Sequence, residues 1–162
     1  MSDAHWDVIV IGAGPAGSTT AGLLSHRGAR VLLLDRDPFP RFHIGESLLP
    51  AGLDVQAALG VVPDDATFVY KRGARFVCET TNRVAAFDFA DALPGCAPHA
   101  WHVDRAQFDT LLRDRAVAAG ATAVHGVDVA PRNEGVPGVL LHHQLRVVLL
   151  HHDHAVALLG VR

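Results

Sequence analysis

Three glycines and one aspartate carry the clearest chemistry in this sequence. Gly12, Gly14 and Gly17 stand in the pattern Gly-x-Gly-x-x-Gly, with Pro15 and Ala16 between the last two. Asp35 follows near the roughly 20-residue interval at which a carboxylate meets a ribose in dinucleotide-binding units. These residue types suit a phosphate. Glycine lets backbone N–H groups come against phosphate oxygens, and a helix start supplies unpaired N–H groups and the positive end of a dipole. Gly12 permits the tight turn, Gly14 lets a pyrophosphate approach the backbone, and Gly17 lets the helix close on the strand. Pro15 sits where a missing N–H costs least. The implied ligand is a diphosphate carrying an adenosine ribose; the motif by itself leaves open whether the dinucleotide is FAD or a nicotinamide cofactor.

The elements that must position these residues are legible on either side. Val8 to Ile11 form a β-branched run of the kind buried on both faces of a parallel sheet. A helix follows the glycines and ends at Gly28, and Arg30 to Leu34 read as a second strand closed by Asp35. Strand before, helix after and acid at the end of the next strand set this apart from an ordinary strand-helix unit with a glycine-rich turn.

Composition bounds the rest. A chain of 162 residues, 49% hydrophobic and 19% charged, suits one globular domain, and a net charge of −3 gives no reason to expect nucleic acid as a partner. No apolar run approaches the ~18 residues of a membrane span. Cys78 and Cys96 lie outside any metal-ligand or redox spacing, so reduced thiols in a cytoplasmic protein are expected. The first strand begins so early that no signal peptide fits before it, which gives the same expectation. Five of the eleven histidines fall between His142 and His154. They lack an established ligand spacing, and no metal site is expected.

Downstream, residues 36–52 (RDPFPRFHIGESLLPAG) contain too much proline and glycine for long regular structure. Phe39, Phe42, Ile44, Leu48 and Leu49 alternate there with Arg41, His43, Glu46 and Ser47. Two readings stay open: a loop pinned to the surface by its aromatics, or a segment covering a ligand. Residues 53–60 suit a short helix ending at Gly60. Residues 67–89 have strand composition with turn signals at Arg72-Gly73 and Thr81-Asn82, an antiparallel meander inserted between parallel strands. By residue type alone Lys71, within it, is a solvated lysine beside a turn. Asp104 caps a helix, with Gln107 completing a capping box, and Phe108, Leu111, Leu112, Ala116 and Ala119 give it one apolar face before Gly120 stops it. Thr122 to Val129 form a third parallel strand.

Taken together, DVIVIGAGPAGSTTAGLL, LLLDRDPFPRFHIGESLLP and HVDRAQFDTLL resemble the N-terminal part of the flavin-dependent halogenases and their geranylgeranyl-reductase-like flavoprotein relatives. The resemblance implies an α/β fold, a Rossmann-like FAD-binding domain with a parallel sheet and an inserted antiparallel meander, and FAD as the cofactor. It implies pyrophosphate contacts at Gly12, Gly14, Ala16 and Gly17, and a ribose contact at Asp35. It sets Arg36 beside the adenosine, Arg41 and Ser47 near the flavin side, Arg105 against the FAD, and the backbone of Val129 at the adenine. Lys71 matches the lysine that handles the oxidised halogen in halogenases. A flavin reductase or NAD(P)H is the implied electron source of a full-length relative, with a small-molecule substrate.

From Ala130 the resemblance ends. The second flavin motif and the WxWxIP motif of the family do not occur in the sequence, so the expectation is a truncated domain over residues 1–130 and an unassigned tail over residues 131–162, read out of frame. The alternative is a structured tail in which VLLHHQLRVVLL pairs as strands. The functional expectation is the FAD module of a halogenase-type monooxygenase, inactive alone. The alternatives are a geranylgeranyl-reductase-type reductase and a non-catalytic nucleotide-binding remnant.

Overall fold

The first strand, β1 (Val8–Ile11), leads through the glycines into α1 (Pro15–His26) and back into β2 (Val31–Asp35), in a computed structural model that describes residues 5–92, 94–129, 146–151 and 154–159. The chain continues through α2 (Leu53–Ala58), β3 (Val69–Lys71), β4 (Gly73–Cys78), β5 (Arg83–Asp88), β6 (Ala100–His102), α3 (Arg105–Ala118), β7 (Thr122–His125), β8 (Arg146–His151) and β9 (His154–Leu159). It divides into two compact units, residues 1–41 with 108–162, and residues 42–107.

The first unit is built on a five-stranded sheet in the order β7-β2-β1-β8-β9. β1 lies between β2 and β8, parallel to both, with Val10 opposite Leu33 on one side and Val148 on the other. β7 extends the parallel part beyond β2, and β9 pairs antiparallel with β8. Val8 and Val10 are buried while Ile9 and Ile11 are half-buried, so one face of β1 is covered more fully than the other. The core joins Val8, Val10, Ala13 and Ala21 to Val31, Leu33, Ala116 and Ala121. Val10, Val31 and Leu33 are fully enclosed, and burying each such side chain is worth about 1.5–3 kcal/mol. The chain's α/β character is as expected, with a parallel sheet and added antiparallel strands. β8 and β9 fall within residues 131–162, where the sequence left a tail or a strand pair open.

In the second unit the antiparallel strands divide into two ladders. β4 and β5 form a hairpin closed near Asn82, as the Thr81-Asn82 signal predicts. β3 does not continue the meander; it pairs with β6, Lys71 opposite Ala100. The reason lies at Gly73. A Cβ there would land on the Phe87 carbonyl, so this glycine serves close approach of two backbones rather than a turn back onto β3. α2 ends as expected, with the Gly60 N–H bonded to the Ala57 carbonyl at 2.8 Å. α3 begins in this unit and ends in the first. Its start is capped by Asp104, whose Oδ1 accepts from the N–H groups of Ala106 (2.8 Å) and Gln107 (3.2 Å). Phe108, Leu112 and Ala116 form its buried face.

Candidate functional site

In the first unit the predicted residues gather at the end of β1. Gly12 has φ +96°, the left-handed region that favours glycine, and donates its N–H to the Leu34 carbonyl at 2.8 Å. A Cβ on Gly17 would fall on the Gly12 carbonyl, so the helix lies as close to the strand as it can. Gly14 differs from both. Its φ is −70°, and an added Cβ would meet only Arg41 Nη2, at an ordinary 3.6 Å. Nothing in the chain's own packing requires glycine there. α1 starts at Pro15 with no side-chain cap and no acid in its first turn, which leaves its N-terminal N–H groups and dipole uncompensated. Ala16 is exposed at that end. Ser18 steadies the loop from inside, its hydroxyl donating to the Ala13 carbonyl at 2.9 Å.

Asp35 is buried against this loop. Its Oδ2 accepts from the Ala13 N–H at 2.6 Å and its Oδ1 from the Asp37 N–H at 3.0 Å. The acid that sequence spacing gives to a ribose therefore also holds the loop in shape. Arg41 reaches the same place: its Nη2 lies 3.6 Å from Asp35 Oδ2 and 3.7 Å from Asp109 Oδ2, and its Nε is buried without a hydrogen-bond partner. The guanidinium stacks over Phe39 at 5.0 Å, a ring that also receives Arg113 at 4.8 Å. Arg36 instead extends outward, its Nε 3.5 Å from Asp37. Val129 is exposed beyond β7. Asp109 is the residue that sequence reading missed. It stands three before Leu112 and seven before Ala116, on the buried face of α3, and a charge in that register was the available signal.

The second unit holds Ser47, Lys71 and Arg105. Backbone from residue 44 to residue 48 runs beside β6: Leu48 N–H bonds the Trp101 carbonyl at 2.9 Å, Val103 N–H bonds the Glu46 carbonyl at 2.8 Å, and Ser47 bridges to His102. Here the pinning is by backbone, since Phe42 and Ile44 are left 85% and 73% exposed, whereas Phe39, earlier in the segment, packs against the core of the first unit. Arg105 Nη1 donates to the carbonyls of Ile44 (2.8 Å) and Gly45 (3.3 Å), so within this unit its guanidinium holds the segment. The Glu46 carboxyl is held below its usual range, chiefly by its own backbone N–H and that of Gly45, with His102 and Arg105 adding positive charge. Lys71 is half-buried. Its Nζ donates to the Leu48 carbonyl at 3.5 Å and lies 4.9 Å over the Phe89 ring, so it is not the solvated lysine its residue type predicts.

Among the described residues no three His, Cys, Asp or Glu side chains come together as metal ligands. His142, His143 and His152 lie outside the described residues, as do the side chains of His151 and His154. Among the described residues no helix is long and apolar enough to cross a membrane.

Comparison with known proteins gives this geometry its context. The family model of the tryptophan halogenases matches residues 7–98. The flavin-dependent halogenase armH3 of Armillaria mellea is 38% identical over 129 residues, which are 76% of this chain and 24% of that protein. The 1H-pyrrole-2-carbonyl-[peptidyl-carrier protein] chlorinase of Pseudomonas fluorescens is 33% identical over 148 residues, 80% of this chain and 33% of that protein. Among solved structures, the myxobacterial chondrochloren halogenase CndH, a variant of FAD-dependent halogenases, superimposes with a TM-score of 0.65 at 38% identity, over 80% of this chain and 31% of that one. The chain thus spans about a quarter to a third of the length of these relatives.

Proposed function

Since this chain belongs to the tryptophan halogenase family, we propose that it is the FAD-binding module of a flavin-dependent halogenase. One observation carries the reading. Glycine at Gly12 and Gly17 is explained by backbone conformation and by strand-helix contact, whereas at Gly14, the N-cap of α1, neither applies, which supports the approach of an outside group. Arg41, whose Nη2 faces that gap at 3.6 Å, fits an anionic ligand, so the residues present suit the diphosphate of FAD.

In this reading the N–H groups at the start of α1 bind the diphosphate together with the backbone of Gly12, Gly14, Pro15, Ala16 and Gly17. Asp35 accepts from the ribose with lone pairs left over from its two backbone bonds. Arg36 lies along the adenosine, and the backbone of Val129 meets the adenine. Ser47 serves the flavin side; Arg41, which the resemblance sets there too, lies beside Gly14 and is assigned to the diphosphate, and Arg105 keeps the segment around Ser47 in place. Bound FAD, once reduced, would pass electrons to oxygen, and the oxygen so activated would be the oxidant of halide. Lys71 is assigned the transfer of the oxidised halogen to an electron-rich small molecule. Support comes from its fixed position on Phe89 and the Leu48 carbonyl, which limits the conformations it must lose. A flavin reductase or NAD(P)H would be the electron source, and the free Cys78 and Cys96 suit a cytoplasmic setting. Residues 1–130 are the part assigned to FAD, and the isolated chain is assigned no turnover of its own.

The test is a fluorescence-quenching titration of FAD with the full chain and with Gly14→Val. Binding by the wild type, lost in a variant that keeps its far-ultraviolet dichroism, is expected. Equal binding by both rejects the assignment.

A further inference from the structure

We infer that Asp109 is the positioning residue of the diphosphate site, acting through Arg41; the inference rests on the nucleotide reading above. Asp109 is fully buried on α3, a costly place for a carboxylate without a cationic partner. Its Oδ2 is 3.7 Å from Arg41 Nη2, and Asp35 Oδ2 is 3.6 Å from the same nitrogen. Both separations exceed the ~2.7–3.2 Å of a made N–H···O bond. The nitrogen therefore lies between two carboxylates and closes on neither. The Phe39 ring lies 5.0 Å from the guanidinium and gives it a cation–π seat.

Removing the charge of Asp109 leaves the pull of Asp35 unopposed. Arg41 would then close its planar fork on Asp35. That movement competes with the Ala13 N–H for Oδ2, and it commits to Asp35 the donors of a guanidinium whose Nη2 now stands 3.6 Å from the Cβ position of Gly14. Asp109 thus keeps the donors of Arg41 against the glycine loop and available to an anion. A purely Coulombic role would have the opposite sign: an extra buried anion near a diphosphate repels it, and its loss would tighten binding.

The sign is testable on the full 162-residue chain. ADP and FAD are titrated calorimetrically, and adenosine, which lacks the diphosphate, is followed by ligand-observed NMR. Asp109→Asn keeps the side-chain shape, and is expected to weaken ADP and FAD roughly tenfold, the size of one charge-assisted hydrogen bond. It should weaken adenosine by less, since the ribose shares only Asp35 with the displaced guanidinium, and add nothing in an Arg41→Met background. Unchanged or tighter ADP binding, an equal loss for adenosine, or a loss that adds to that of Arg41→Met overturns the inference while the nucleotide reading stands. A wild type that binds neither FAD nor ADP overturns both. Should Asp109→Asn fail to fold, Arg41→Met alone decides: the inference requires that it lose ADP and keep adenosine, and equal retention of both overturns it.

Discussion

Replacing Gly17 and Gly14 by alanine, one at a time, separates what the fold demands from what a ligand demands. At Gly17 the new Cβ coincides with the Gly12 carbonyl, and its next neighbour is Val10 Cγ1 at 3.4 Å. Backbone cannot rotate away as a side chain can, so α1 must lift off β1. Overpacking of this kind costs typically ~1–3 kcal/mol, occasionally more, and a backbone overlap belongs at the upper end or above. Alanine returns about 1 kcal/mol of helix propensity. The net loss is about 2 kcal/mol or more, which at ~2–4 °C per kcal/mol for a chain of this length lowers the Tm by at least about 4–8 °C. At Gly14 the nearest atom is 3.6 Å from the added Cβ and φ is already −70°. The roughly 0.5–1 kcal/mol by which alanine is the poorer N-cap is offset by the ~0.4–1 kcal/mol gained by restricting the unfolded chain, so the Tm stays within ~2 °C. Circular-dichroism melts read the first effect, and FAD titration reads the second, a loss of roughly tenfold for Gly14→Ala. A Tm loss for Gly14→Ala as large as that for Gly17→Ala, or unchanged FAD affinity in a folded Gly14→Ala, refutes the reasoning.

Three further outcomes follow from single features of the structure. Asp104→Ala removes the acceptor of two N–H groups at the start of α3, and should cost about 1 kcal/mol, seen as a Tm lower by ~2–4 °C and largely restored by Asp104→Ser. The Cys78 thiol, exposed at the end of β4, is pulled down to about 7 by the Thr80 hydroxyl first and by Thr81 next, because hydroxyls stabilise the thiolate. Its alkylation, followed by mass spectrometry, should rise through a midpoint near that pH, and Thr80→Val should move the midpoint up; an unmoved midpoint contradicts the cause. A chain ending at Pro131 loses the strand paired with β1, so amides in Val8–Ile11 should exchange measurably faster. Exchange equal to that of the full chain would show that this pairing carries no stability.

What the sequence made legible is what local rules govern. The β1-α1-β2 unit followed from a β-branched run and three spaced glycines, and α3 from one capping aspartate and a helical apolar spacing. Pairing across distance was not legible. β3 and β6 meet over a separation that no turn signal marks, and Gly73 mimicked a turn while serving a close approach to Phe87. Asp109 escaped because helical periodicity is read from apolar positions, and a buried charge reads as a break in the pattern until its partner Arg41 is in view. Asp35 was located by residue and spacing and Lys71 by the family resemblance, but the backbone bonds of the one and the aromatic seat of the other needed coordinates.

The central claim is that a dinucleotide diphosphate sits on the glycine loop. Proton–nitrogen correlation spectra of the full chain, recorded as FAD is added, test it most directly. The account predicts that the largest and first-saturating shifts fall on the amides of Gly12, Gly14, Ala16 and Gly17. Shifts absent from those amides at saturating FAD, or centred elsewhere in the chain, would contradict it.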